Sequence, residues 1–343
     1  MKEAAPVIEA QAISKSYPTG FWRRRVRVLS DLSFHVGRNE IVGFLGPNGA
    51  GKTTTIKILN GLAFPDSGQV RIFGEEAARR PELRRRLGFM PEHPYFYEYL
   101  TGGELLGLCG RLSGMSSPET SSRARSLLTR VGLGGAEKTA IRKYSKGMMQ
   151  RLGLAQALLH DPELLILDEP MSGLDPLGRM EVRALIRDLK ASGKTVFFSS
   201  HIISDVEALC DRVVMVDNGR KVAEGSLEEL MGREGIQYVE LLFSPVPDRR
   251  WLEGRGLLPE RGSVQGNAFV LRAKDLDEAN DWVETFRGAR SLLRSFTPVK
   301  RRLEDIYVQQ VGGGQTDEAL RRSYRRRDPA PEEGGEKERD RAR

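Results

Sequence analysis

Gly46-Pro47-Asn48-Gly49-Ala50-Gly51-Lys52-Thr53 fits the pattern G-x-x-x-x-G-K-[ST] at every fixed position. The apolar run Ile41-Val42-Gly43-Phe44-Leu45 before it reads as a short buried strand, and Thr54 to Leu59 after it as the first turns of a helix. Glycines at 46, 49 and 51 let the backbone curl so that several N–H groups point inward at the start of that helix. The helix dipole adds positive potential at the same point. Lys52 supplies a full charge for the β- and γ-phosphates of a nucleoside triphosphate, and the Thr53 hydroxyl is a ligand for Mg²⁺.

Two further stretches narrow the reading. Leu164-Leu165-Ile166-Leu167-Asp168-Glu169-Pro170 is an apolar run ending in two carboxylates. Such a run suits a buried parallel strand, and doubly wound sheets place ligands at the C-terminal edges of their strands. Asp168 there can hold Mg²⁺, and Glu169 can polarise an attacking water. A helix cap or a salt bridge is the plainer role for the pair. Tyr144-Ser145-Lys146-Gly147-Met148-Met149-Gln150-Arg151 lies between the two stretches, with Ser145 placed 23 residues before Asp168. Met148, Leu152, Ala155 and Leu159 form one helical face, with Ser145 at its N-cap. Two readings stay open: an ordinary capped helix, or a second phosphate clamp built from a hydroxyl, Gly147 and free N–H groups.

These motifs, in this order, resemble the nucleotide-binding subunits of ABC transporters over roughly residues 7 to 230. The resemblance makes Gly46 to Thr53 the Walker A loop, with Thr54 beside it among the nucleotide contacts. It makes Tyr144 to Gln150 the family signature, usually written LSGGQ, and Leu164 to Glu169 Walker B with its catalytic glutamate. Ser172-Gly173-Leu174-Asp175 is then the D-loop. Tyr17 stands where the family has an adenine-stacking aromatic, and His201, after Val196-Phe197-Phe198-Ser199-Ser200, stands as the switch histidine. Two positions depart from the usual pattern. Glu92 occupies the Q-loop glutamine position, and Lys146 replaces a signature glycine. Both variants are similar to the ABC-2 type export group. A carboxylate at 92 is a hard oxygen ligand for Mg²⁺, while contact with a membrane partner is the alternative.

Hydrophobic residues make up 39% of the 343-residue chain and charged ones 29%. No stretch approaches the roughly 20 apolar residues of a membrane span, and Met1 to Glu9 lacks an apolar signal core. Cys109 and Cys210 are the only cysteines, which with 4 histidines offers neither a disulfide framework nor a zinc cluster. The net charge of +7 gathers at Arg23-Arg24-Arg25, Arg84-Arg85-Arg86 and Arg325-Arg326-Arg327. Solvated surface charge is the preferred reading over nucleic acid or an anionic membrane. The segment Phe21-Trp22-Arg23-Arg24-Arg25 is read as an extended connection.

The expected fold is α/β: a P-loop NTPase with a RecA-like parallel sheet core, an antiparallel β-subdomain and an inserted helical lobe, plus a small C-terminal α+β module. The ATPase domain is expected over 1–231, its helical lobe over about 81–160, the module over 232–311 and a disordered charged tail over 312–343. Asp217-Asn218-Gly219-Arg220 predicts a tight hairpin. The aromatic run Pro94-Tyr95-Phe96-Tyr97-Glu98-Tyr99-Leu100 is either a partner surface near Glu92 or an anchor to the lobe's own core.

Taken with the resemblance, the sequence implies an ATPase subunit that powers an ABC-2 type exporter from the cytoplasmic face of the membrane. Its partners would be a polytopic permease and a second nucleotide-binding domain, most simply another copy of itself, with ATP and Mg²⁺ held between the copies and no nucleic acid involved. A ribosome- or DNA-acting relative would carry two cassettes or long coiled coils, which this chain lacks. A purely regulatory binder would not need both Glu169 and His201.

Overall fold

The computed structural model describes residues 5–19, 24–76, 81–231, 236–258, 261–300 and 302–311. At its centre are β3 (Ile41–Leu45), β6 (Leu87–Met90), β7 (Leu164–Leu167), β8 (Thr195–Ser200), β9 (Arg212–Asp217) and β10 (Arg220–Ser226), in the sheet order β10-β9-β3-β8-β7-β6. Neighbouring strands from β9 to β6 run parallel, and β10 is antiparallel. Continuous apolar runs suit this sheet because both of its faces are covered. Alternate residues serve two separate cores. Ile41, Leu45, Leu165, Leu167, Val196, Phe198, Val213 and Met215 face one, and Val42, Phe44, Leu164, Ile166, Phe197, Val214 and Val216 face the other.

The second of these cores is closed by an antiparallel sheet of β1 (Ile8–Thr19), β2 (Arg24–Val36), β4 (Ser67–Ile72) and β5 (Glu75–Glu76), together with α1 (Lys52–Leu59). Phe34 of β2 joins Phe44 and Phe197 in a ring cluster with centroids 5.4 to 5.6 Å apart. Each buried ring contributes about 1.5–3 kcal/mol, so this cluster fixes the antiparallel sheet against the strand that leads into the phosphate loop.

The other core is closed by helices: α2 (Gly102–Leu112), α3 (Ser117–Arg130), α4 (Lys146–Leu158), α5 (Pro176–Ala191) and α6 (Ile203–Leu209). Within the stretch expected as a helical lobe, Leu87–Met90 is a strand of the large sheet instead, pairing in parallel with β7. Its run of four residues is too short to show a period. The hairpin between β9 and β10 turns at Asn218 and Gly219, with φ of 47° and 73°, the left-handed pair such a turn requires. Short α7 (Leu227–Met231) follows.

The C-terminal segment builds a third sheet. Its elements are β11 (Ile236–Ser244), α8 (Arg249–Glu253), β12 (Gly262–Gln265), β13 (Ala268–Ala273), α9 (Leu276–Gly288) and β14 (Leu292–Lys300). The order β12-β13-β11-β14, all antiparallel, gives a split β-α-β-β-α-β arrangement. It has its own core, centred on Phe286, whose ring stacks on Phe243 at 3.9 Å. The last helix, α10 (Leu303–Val311), leaves that module. Leu303 and Ile306 are buried in the helical core of the large sheet, and the Leu303 amide donates to Glu207 Oε1 at 2.8 Å. The expected tail from 312, Phe21-Trp22-Arg23 and Arg325-Arg326-Arg327 lie outside the described residues. Among the described residues no helix is long and apolar enough to cross a membrane.

Candidate functional site

The phosphate loop leaves the C-terminal end of β3 and enters α1. Gly49 and Gly51 take φ of 85° and 97°, a left-handed conformation that favours glycine. Gly46 is packed so tightly that a β-carbon there would strike the Val216 carbonyl. Gly51 caps α1 without a side-chain hydrogen bond, and no acid stands in the first turn, so the leading N–H groups keep their capacity for an anion. Pro47, Asn48 and Gly49 form the exposed crest of the loop, and Ala50 is buried beneath it.

Lys52 is 6% exposed, and its ammonium donates to the carbonyls of Gly46 at 2.8 Å and Pro47 at 3.2 Å. It also stands 3.2 Å from Glu169 Oε1, close enough for charge attraction but without hydrogen-bond alignment. Glu169 Oε2 meets His201 Nδ1 at 2.9 Å. Glu169 is itself in the left-handed region, φ 48°, which for a residue with a side chain costs on the order of 1–2 kcal/mol. That turn separates its carboxylate from that of Asp168 and aims it at Lys52.

Asp168 is 2% exposed at the end of β7. Burial raises its carboxyl above the usual aspartate value, and the charges of Glu92 and Glu169 act the same way. Hydrogen bonds from the Ser199 and Thr53 hydroxyls oppose the rise without cancelling it. Ser199 on β8 is the residue the sequence reading missed. Its hydroxyl donates to Asp168 Oδ1 at 2.6 Å and accepts from the Glu169 amide at 2.9 Å, pinning both carboxylate-bearing residues. The signal was a serine in a strand buried throughout.

A cleft of about 330 Å³ opens over this arrangement, lined by Gly49, Lys52, Thr53, Thr54, Glu92 and Glu169 among others. Thr53 and Asp168, joined by a hydrogen bond, offer the hard oxygen donors that Mg²⁺ takes, and Glu92 lines the same cleft. No cluster of three acidic, histidine or cysteine ligands occurs among the described residues. Mg²⁺ needs none, since it is usually held by one or two carboxylates together with phosphate and water. The donor set therefore fits a phosphate-bound magnesium ion.

The remaining candidate residues lie elsewhere. Ser145 caps α4, accepting from the Met148 amide at 3.2 Å, and Gly147 packs near Leu174 of the next loop. Asp175 caps α5, accepting from the Gly178 amide at 2.9 Å. Ser145, Lys146 and Asp175 are exposed, and neither they nor Gly147 line the cleft. One chain thus brings Lys52, Thr53, Asp168, Glu169, His201 and Glu92 together and leaves Ser145, Gly147 and Asp175 on a second surface. The two are linked through buried Gln150 of α4, which donates to the Glu92 carbonyl at 3.3 Å. Tyr17 pairs with Val26 across β1 and β2, half-buried, with Lys15 over its ring at 5.4 Å. It is not among the cleft-lining residues, although Val28, two residues beyond Val26, is.

Comparison with known proteins agrees with this geometry. Residues 29–172 match the family described as ABC transporter. The chain is 46% identical over 323 residues to an uncharacterised ABC transporter ATP-binding protein, all4389, of Nostoc, covering 90% of this chain and 91% of the relative. It is 36% identical over 314 residues to the Nod factor export ATP-binding protein I of Paraburkholderia xenovorans, covering 91% and 98%. Among solved structures, the dimeric post-hydrolysis state of the ATP-binding cassette MJ0796 bound to ADP and Pi superposes with a TM-score of 0.60 at 25% identity, over 64% of this chain and 98% of that one.

Proposed function

The chain belongs to the ABC transporter family as an ATP-binding, ATP-hydrolysing subunit, and from that premise we propose that it powers an ABC-2 type membrane exporter. The observation that carries the mechanism is the contact of buried Lys52 and more exposed His201 with the two oxygens of one buried carboxylate, Glu169, which lines the cleft. In this reading Lys52 exchanges its loop carbonyls for the β- and γ-phosphates of ATP, whose charge the amides of Gly49 to Thr53 also meet. Freed from Lys52, Glu169 orients a water for in-line attack on the γ-phosphorus and accepts its proton as the bond to the β-phosphate oxygen breaks. His201 holds Glu169 in place and contacts the γ-phosphate. Thr53 and Asp168 would hold Mg²⁺, which when bound neutralises charge on the phosphates.

The site is completed by a second copy, whose Ser145, Gly147 and Asp175 close over the nucleotide. Tyr17 stacks on the adenine. Dimeric relatives in the same fold support that arrangement, and a relative named for Nod factor export supports the direction of transport. A permease at the cytoplasmic face of the membrane would dock beside Glu92. There Phe96 and Leu100 pack onto the core, while Tyr95, Tyr97 and Tyr99 are 93%, 56% and 72% exposed. Both expectations for the aromatic run therefore have support, on alternate residues. Co-purification from native membranes tests the assignment. A polytopic protein should accompany the wild type and be lost from a Tyr95→Ala/Tyr97→Ala variant that still binds ATP. Full retention of the permease by that variant excludes this surface.

A further inference from the structure

His201 sits on a short link. Strand β8 ends at Ser200 and α6 begins at Ile203, so only His201 and Ile202 join a strand buried throughout to that helix. The link is held close: the Ile202 amide donates to the Ser200 hydroxyl at 2.9 Å, and the Asp205 amide to the Ile202 carbonyl at 3.2 Å. A shift of α6 against β8 therefore turns the backbone that aims His201 Nδ1 at Glu169 Oε2. With seven residues α6 is too short to be stable alone, and its packing fixes its place.

Part of that packing comes from α5, where Arg183 pairs with buried Asp205 and Arg187 donates to the Ala208 carbonyl at 2.6 Å. Another part comes from far along the chain. Helix α10 packs against α6, α7 and β10, and its Leu303 and Ile306 are buried in the same core as Val206 and Leu209. Glu207 Oε1 accepts the Leu303 amide, so a carboxylate of α6 caps the first turn of α10. Nine residues are also below the length at which a helix persists by itself in water, so α10 forms as it docks. The chain reaches α10 from β14, the edge strand of the C-terminal module, which has a core of its own. The seat of α10 thus ties that module to the helix that follows His201.

We propose that Glu207 and Leu303 are positioning residues for ATP hydrolysis. Through them α10 straps α6 and keeps His201 in register with Glu169, so that turnover depends on how the C-terminal module is seated. This rests on the role given to His201 above, and the experiment keeps the two apart.

Full-length Leu303→Asp, Leu303→Met, Glu207→Ala and His201→Gln are compared with wild type in ATPase kcat and KM, in affinity for a fluorescent ATP analogue, and in amide hydrogen exchange. Leu303→Asp should speed exchange in α10 and in residues 201–209 and leave the phosphate loop as protected as in wild type. Its kcat should fall roughly ten- to a hundredfold, the cost of a misplaced group, with analogue affinity within about twofold of wild type. Glu207→Ala opens no core and carries the test by itself: it should move the same quantities in the same direction by a smaller factor. Leu303→Met keeps the apolar volume and should behave as wild type. A merely structural role would loosen the phosphate loop too and weaken nucleotide binding, and that outcome overturns the proposal. So does a Leu303→Asp protein whose α10 exchanges freely while 201–209 stays protected, or one whose 201–209 loosens at unchanged kcat. Wild-type exchange and kcat in Glu207→Ala would remove Glu207 from the strap. If His201→Gln turns over normally, the role of His201 falls and the link to hydrolysis with it, while exchange of 201–209 still decides whether α10 holds α6.

Discussion

Lys52, Asp168 and Glu169 are 6%, 2% and 6% exposed, whereas Ser145, Lys146 and Asp175 stand on open surface. Around the phosphate loop each charge is matched: Lys52 by two carbonyls and Glu169, Glu169 by His201, Asp168 by two hydroxyls. Buried charge is tolerated only with such partners. Around the signature loop the matching stops at backbone caps. A helix N-terminus with a cation and no acid in its first turn gains little from the described residues around it. In the proposed reading, the difference means that one half of the chemistry is built by folding and the other half is held ready for a surface from outside.

The buried half gives the largest predicted effects. Glu169→Gln should cut ATP turnover by roughly 10²–10⁴-fold while binding persists, because an amide cannot take the water's proton. Phosphate release under saturating ATP measures it, and a normal rate would remove Glu169 from its role. Lys52→Ala should weaken binding of a fluorescent ATP analogue by about ten- to a hundredfold, the worth of lost charge-assisted hydrogen bonds. Unchanged affinity would mean that the backbone cradle alone suffices.

Smaller, but specific to the buried half, is a dependence on pH. Asp168 titrates above the ordinary aspartate value of 3.8 because burial disfavours its charge. Between that value and its own, the native protein holds a proton that the unfolded chain has shed. Without a cation, stability contributed by Asp168 therefore falls as pH rises through the window. Mg²⁺ competes with the same proton, so its affinity should rise over that window and level off above it. Calorimetric Mg²⁺ titrations of the ATP-bound protein at stepped pH check this. A profile that stays flat down to the ordinary aspartate range would place Asp168 outside the metal site.

The parts of this arrangement legible in the sequence are those encoded locally. The phosphate loop, the Ser145 cap and the Asn218-Gly219 turn are each specified by residues within one turn or loop of each other, and each sits where its sequence places it. Three other features depend on chain segments far apart. Ser199 bridges Asp168 and Glu169 across neighbouring strands, and nothing near residue 199 announces that. Strands β12 and β14 carry mostly exposed residues, Leu292 at 56% among them, and lack the alternation that marks a half-buried strand. Helix α10 has a short amphipathic pattern that foretells a helix but not that Leu303 and Ile306 return to the ATPase core. Pairwise contact of Lys52 with Glu169 was likewise beyond a reading that assigned the two residues separate roles.

The central claim is that the buried half works only when a second copy supplies the exposed half. ATPase rate per chain, followed as wild-type protein is diluted and with light scattering recorded on the same samples, tests it most directly. The account predicts that the rate per chain falls as the dimer gives way to monomer and recovers on reconcentration. A rate per chain that stays constant through a strictly monomeric population would contradict it.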